Sequence, residues 1–313
     1  MASTIRHGRS WRTAVGLGLL LAVAVLPTAA PAYAAPMSRT QSASAMVCSL
    51  ASTGGRVTET VAGGRTYRLY VPAGIPGPTA PLVLSLHGWG GNPDAHADAL
   101  GLDAFANQYK VIVAYPAGVV TPLPFLGGMS TGWDYRWQSS PDITFLRSVV
   151  ADVSASYCVN PDRVHADGLS MGGPMSQRLA CEASDVFASV SSTVGNDVTA
   201  AWQDLFSPVT FPSQACNTDR PVAVYHSCGA ADVFTGAGCE QAAATWAARN
   251  GCTSFTNLPD SFGAARVYEP CSGGTRVVWR NWTGLGHNYL PPGAQRDRWF
   301  TELNLFYAAN QMP

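Results

Sequence analysis

Two short runs, Leu82-Val83-Leu84-Ser85-Leu86 and Val111-Ile112-Val113-Ala114-Tyr115, constrain this chain most strongly. They are almost wholly apolar and lack the in–out alternation of a half-exposed strand. A strand of that kind is buried on both faces, which is the habit of a parallel sheet sandwiched between helices. The segments around them alternate accordingly. Residues 66–71 read as a half-exposed strand stopped by Pro72, and residues 94–109 as a helix with Asp94 as N-cap. Residues 142–157 form an amphipathic helix with Ile143, Leu146, Val149, Val150 and Val153 along one side. Strands follow at 187–194, 222–226 and 277–282, and helices at 171–182, 239–250 and 295–310. Residues 116–141 read as one long loop. The fold class is therefore α/β, with a mainly parallel sheet covered on both faces. In such sheets ligands bind at the carboxyl ends of the strands.

At one of those ends lies Val164-His165-Ala166-Asp167-Gly168-Leu169-Ser170-Met171-Gly172-Gly173. A β-prone run enters Gly-x-Ser-x-Gly and a helix-prone segment leaves it, with Pro174 in the first turn where its missing N–H costs little. That turn presents Ser170 as a nucleophile, with the Met171 N–H at a helix N-terminus as an oxyanion donor. A second copy of the pattern, Gly128-Met129-Ser130-Thr131-Gly132, has no strand before it and no helix after it, and is read as a chance match in the long loop.

A serine hydroxyl needs a base, and the base needs an acid to fix its tautomer. Strand–turn–helix nucleophiles are followed by acid and then histidine. His287 lies in the glycine-rich Gly284-Leu285-Gly286-His287-Asn288-Tyr289 after the last strand and is the candidate base; His226 is read as a packed strand residue. Asp232, in the loop after the 222–226 strand, is favoured as the acid over Asp197. The loop after 82–86, His87-Gly88-Trp89-Gly90-Gly91, offers the Trp89 N–H as second oxyanion donor, with His87 as a buttress of that loop. Trp89, Trp133, Trp137 and Tyr289 are the candidate substrate-binding aromatics.

The rest of the chain bounds the setting. Of 313 residues, 12% are charged and the net charge is −1, which gives no electrostatic basis for binding nucleic acid or an anionic membrane. Arg6, Arg9 and Arg12 precede an apolar run and a small-x-small Ala32-Tyr33-Ala34, the pattern of a secretory signal peptide over residues 1–34. An N-terminal extension over 35–65 and a catalytic domain over 66–313 are expected, exported to the extracellular side and working as a monomer. Eight cysteines in an exported chain imply up to four disulfides. Cys252 and Cys271 flank a hairpin-like segment and are the best pair; Cys158 and Cys181 bracket Ser170 and are candidates for stapling the elements beside it. No metal or organic cofactor is expected.

With these pieces placed, the chain resembles the esterase/polyhydroxybutyrate-depolymerase family, which overlaps carbohydrate esterase family 1. The resemblance rests on Leu86-His87-Gly88-Trp89-Gly90-Gly91, Asp142-Ile143-Thr144-Phe145-Leu146 and Tyr157-Cys158-Val159-Asn160-Pro161-Asp162-Arg163-Val164. It continues through Gly168-Leu169-Ser170-Met171-Gly172-Gly173, Trp246-Ala247-Ala248-Arg249-Asn250-Gly251-Cys252 and Gly286-His287. It implies an α/β-hydrolase fold, the roles argued above for Ser170, Asp232 and His287, and ester substrates of the feruloyl, acetyl or short-chain polyester kind. The chain departs from the family pattern at three points. Cys228 stands where a histidine usually precedes the acid, which suggests a disulfide to Cys239. Met171 replaces a residue that is often Asn or Ala, implying a more apolar pocket wall. Tyr289-Leu290-Pro291 replaces the usual Trp-Pro after the base.

Overall fold

The computed structural model describes residues 48–312, apart from 124–127, 136–138, 199–201, 204–209, 212–214 and 217. The expected signal peptide, most of the expected extension, and Trp137 therefore lie outside the described residues. The strands, in chain order, are β1 Val57–Thr60, β2 Thr66–Tyr70, β3 Ala80–Leu86, β4 Ile112–Pro116, β5 Val119–Leu123, β6 Gly128–Gly132 and β7 Val159–Leu169. They continue as β8 Ser189–Thr193, β9 Trp202–Gln203, β10 Thr210–Phe211, β11 Ala223–Gly229, β12 Phe255–Asn257, β13 Gly263–Tyr268 and β14 Val277–Trp282. The helices are α1 Pro93–Leu100, α2 Leu102–Tyr109, α3 Pro141–Ser156, α4 Gly172–Glu182, α5 Gly236–Arg249 and α6 Ala294–Ala309.

Ten strands form one sheet in the order β1-β2-β4-β3-β7-β8-β11-β14-β13-β12. The six central strands, β4 to β14 in that order, are mutually parallel. Antiparallel pairs close both edges, β1–β2 against β4 and β13–β12 against β14. β1 joins the sheet from within the segment 35–65. β12 and β13 are the hairpin that the Cys252–Cys271 disulfide closes.

The buried runs behave as their composition requires. Every residue of β3, β4, β8 and β11 is buried. Leu82, Leu84 and Leu86 of β3 face one core with side chains of α3, α4 and α5. Val83 faces the other core, with α1, α2 and α6. The two cores are the two faces of the sheet, the layered arrangement of the α/β-hydrolase fold.

Three local expectations are corrected. The helix expected over 94–109 is two helices, because Gly101 sits in the left-handed region at φ 71° and ends α1. Its N-cap is Asn92 rather than Asp94: Pro93 occupies the first turn, and the Asn92 side chain accepts the Ala95 N–H at 3.0 Å. The stretch 116–141 is not one loop, since β5 and β6 pair within it as an antiparallel hairpin that contains Ser130. The disulfides are Cys48–Cys158, Cys181–Cys216, Cys228–Cys239 and Cys252–Cys271. Cys158 and Cys181 thus anchor the flanks of the Ser170 segment to two other stretches of chain.

Candidate active site

Four loops meet at the carboxyl edge of the parallel strands. Ser170 follows β7, Trp89 follows β3, Asp232 follows β11 and His287 follows β14. Ser170 has φ 51°, a left-handed conformation that costs an L-residue energy and persists only where the surroundings enforce it. The enforcement is steric. A Cβ on Gly168 would lie 2.0 Å from the Gly172 carbonyl oxygen, and one on Gly172 would lie 2.2 Å from the Leu86 carbonyl oxygen. The β7 end, the α4 start and the β3 end are packed backbone on backbone, and the serine side chain is pushed outward.

Ser170 Oγ lies 2.8 Å from His287 Nε2. His287 Nδ1 lies 3.0 Å from Asp232 Oδ2. A carboxylate only accepts, so the imidazole proton is on Nδ1 and the Nε2 lone pair faces the serine hydroxyl. Asp232 is buried and well held, accepting from the Phe234 N–H at 2.8 Å, the Thr235 N–H at 3.2 Å and the Thr235 hydroxyl. Burial works against its charge, but the hydrogen bonds from His287, Thr235 and Phe234 outweigh it and hold the carboxyl below the usual range. The rival Asp197 lies after β8, where its charge acts on the buried His226, and burial pushes His226 below its ordinary value. The His226 ring is enclosed in β11.

The Trp89 loop reaches the serine closely enough that a Cβ on Gly88 would lie 3.2 Å from Ser170 Cβ. Among the described residues, the N–H groups of Trp89 and Met171 make no turn, loop or cap hydrogen bond. Both are thus available as donors, and that of Met171 stands just before the N-terminus of α4. His87 has the buttressing position expected of it. Its Nδ1–H donates to the Gly88 carbonyl at 2.7 Å, and its Nε2 accepts the Gly118 N–H at 3.0 Å.

The β5–β6 hairpin braces this loop. Gly90 N–H donates to the Thr131 carbonyl at 2.7 Å, and the Trp89 indole N–H donates to the Thr121 carbonyl at 3.3 Å. Sequence reasoning missed the hairpin, although the Val119-Val120-Thr121 run carried a strand signal. Two expectations change here. Trp133 is 0% exposed. Its indole N–H donates to the His87 carbonyl at 2.8 Å, so it is a buttress of the Trp89 loop with no face free for substrate. Met171 does not form an apolar pocket wall either, because its sulfur turns inward and accepts the Trp133 N–H at 3.3 Å. Trp89 and Tyr289 are half-buried beside the site. Ser130 has no histidine bonded to it among the described residues, and its Oγ faces Gly90.

Beside His287, the Phe234 ring meets the imidazole edge-on with centroids 5.3 Å apart. Phe234 and its neighbour Val233 are 48% and 82% exposed. The Cys228–Cys239 disulfide closes the segment that carries Asp232. Among the described residues no group of His, Cys, Asp and Glu is arranged to hold a metal ion, and no helix is long and apolar enough to cross a membrane.

This arrangement of serine, histidine and carboxylate on a parallel sheet defines an α/β-hydrolase. The sequence pattern of the family described as "Esterase PHB depolymerase" matches residues 65–238, more than half of the chain, and the chain belongs to that family. Among characterised relatives, feruloyl esterase B of Piromyces equi is 25% identical over 235 residues, covering 69% of this chain and 41% of that protein. Poly(3-hydroxyalkanoate) depolymerase C of Paucimonas lemoignei is 31% identical over 133 residues, covering 40% of this chain and 30% of that protein. The matches thus span less than half the length of these relatives. Among solved structures, the acetyl xylan esterase of Aspergillus awamori superposes with TM-score 0.56 at 16% identity, over 79% of this chain and 98% of that one. At that identity the likeness speaks for the fold.

Proposed function

We propose that this protein is a secreted serine esterase that cleaves carboxylic esters through an acyl-enzyme. The observation that carries the reading is the continuous hydrogen-bonded chain Ser170 Oγ–His287 Nε2, His287 Nδ1–Asp232 Oδ2, beside two unspent backbone N–H groups. His287 Nε2 takes the proton of Ser170 as its oxygen attacks the ester carbonyl. The Trp89 and Met171 N–H groups receive the oxyanion. His287 then protonates the leaving alcohol, and water, deprotonated by the same nitrogen, releases the acid. Asp232 stabilises the imidazolium formed on the way. The four disulfides support an oxidising, extracellular destination.

The favoured substrates are feruloyl or acetyl esters on plant polysaccharide, with Trp89 and Tyr289 beside the acyl group. A second reading, aliphatic polyester depolymerisation, is favoured by one specific observation. Val233 and Phe234 next to His287, and Val119, Val120 and Met129 on the hairpin that braces Trp89, are exposed apolar side chains near the site. Hydrolysis of methyl ferulate, p-nitrophenyl acetate, acetylated xylan and a polyhydroxybutyrate film should be compared in one set of assays. Ferulate or acetate turnover with an intact film supports the first reading, and film clearing with inert ferulate replaces it by the second. Ser170→Ala should lower turnover by about 10⁴-fold or more. Near-native activity in that variant would end the serine mechanism.

A further inference from the structure

A buried polar row runs beneath Ser170. Ser85 of β3, Asp167 of β7 and Ser191 of β8 are register partners on three adjacent parallel strands. Asp167 is 1% exposed. It accepts the Ser191 hydroxyl at 2.5 Å and the Ser85 hydroxyl at 3.2 Å. Among the described residues no cation bonds it. Ser85 Oγ is also 2.9 Å from Nε2 of His96, on α1, and the His96 ring is completely buried. His96 Nδ1 lies 3.4 Å from the hydroxyl of Tyr289, and the two rings have centroids 5.8 Å apart. Tyr289 is two residues beyond His287. No proton transfer in the ester cleavage described above passes through any of these groups.

The donor directions are determined from the carboxylate end. Asp167 accepts only when ionised, so Ser85 gives it its single proton. Ser85 Oγ then receives the His96 Nε2–H. A neutral His96 has Nδ1 bare, and it accepts the Tyr289 O–H. Each group has the partner its valence requires, in one direction, over about four residues of chemistry. Burial pushes the Asp167 carboxyl up to about 6 and His96 down to about 3, which leaves the first ionised and the second neutral above pH 7. The other titratable groups near Asp167 are Tyr307 of α6 and His165 of β7, whose rings stack on each other at 4.5 Å.

We propose that Asp167 is a positioning residue that acts through Ser85, His96 and Tyr289 to orient the loop carrying His287. The inference rests on His287 being the base. Holding the Tyr289 hydroxyl against α1 fixes the backbone just past His287, and with it the angle of the imidazole toward Ser170. The Tyr289 ring is left as a wall beside the site. The link from His96 to Tyr289 is the longest in the chain, and the loop is therefore most easily released there.

The test is a double-mutant cycle on p-nitrophenyl acetate hydrolysis with Tyr289→Phe, Asp167→Asn and the pair. Each single change should lower kcat by about three- to tenfold with KM little changed, and the pair should fall no further than the worse single variant, because both cut one chain. Losses that multiply in the pair, or a fall in affinity instead of kcat, would overturn the proposal. If Asp167→Asn does not fold, Ser85→Ala takes its place in the same cycle. Hydrogen exchange of the N–H groups over residues 286–290 gives a readout independent of turnover. It should quicken in Tyr289→Phe and in the Asp167 or Ser85 variant alike. Unchanged exchange overturns the positioning role whatever the activity. Wild-type protein inert to every ester would instead count against the esterase reading and leave the exchange result to decide this one.

Discussion

Ser170 is held at φ 51° by the backbone contacts of Gly168 and Gly172, so the proposed nucleophile occupies a conformation its own Cβ resists. Two variants that both remove the hydroxyl separate that strain from the chemistry. Ser170→Gly and Ser170→Ala should be equally inactive, yet the glycine variant should be the more stable by about 1 kcal/mol, because a left-handed residue without Cβ carries no penalty. Equal melting temperatures would show that the turn is unstrained. Asp167 gives a second residue-scale expectation, in pH. Its folded-state pKa is raised to about 6 from 3.8, so the unfolded chain releases its proton first. The destabilisation is absent below the lower value, grows as pH rises through the window between the two, and is complete above the upper one. A shift of that size is worth roughly 3 kcal/mol. Asp167→Asn lacks it, so between pH 4 and pH 7 the stability of the variant should rise relative to wild type by an amount of that order. Chemical denaturation at the two pH values measures the difference, and a constant offset contradicts it.

The elements most consequential for the site are the short ones. The β5–β6 hairpin and Trp133 together hold the Trp89 loop against Ser170. Trp133→Phe keeps a ring but leaves the His87 carbonyl without its donor. A loss of about 1–2 kcal/mol in stability is expected, together with a lowered kcat as the loop loosens. The Cys228–Cys239 disulfide encloses the acid loop with a separation of 11 residues. Replacing both cysteines by serine should cost about 2–3 kcal/mol. Activity should fall further than that alone explains, as Asp232 loses its fixed frame; thermal melts and kcat measured on the same samples check this. These elements were also the least legible in the sequence. β3 and β4 were visible because strands buried on both faces are mostly apolar, and Ser170 and His287 because glycines marked their turns. The hairpin was hidden among proline and glycine residues that usually signal loops. The break at Gly101 was hidden because one glycine is often tolerated inside a helix. Trp133 was misassigned because an aromatic residue in a loop looks the same whether it faces substrate or core. The Asp167 row was not legible at all, since its members are far apart in sequence and only strand register unites them.

At the scale of the whole molecule, two cores on either face of ten strands are tied together by covalent links that reach across the chain. Cys48–Cys158 joins positions 110 residues apart and anchors the first described segment to the start of β7. Loop-closure entropy puts its worth at about 4–5 kcal/mol, the largest of the four. A Cys48→Ala/Cys158→Ala variant should therefore melt well below wild type, by more than a Cys252→Ala/Cys271→Ala variant, whose link spans 19 residues. Reversal of that order would show that local strain, and not chain length, governs these links. The row of Ser85, Asp167 and Ser191 bears on assembly in another way. Parallel strands rich in leucine and valine can slide past one another with little loss of apolar contact. Here a slip of one residue would turn the Asp167 carboxylate to the opposite face, among Leu84, Val190 and Met175. An ionised group with no partner there would be far more costly than any misplaced methyl. Burial of this carboxylate thus weighs against a one-residue slip of the central strands and in favour of the register that brings its two serines alongside.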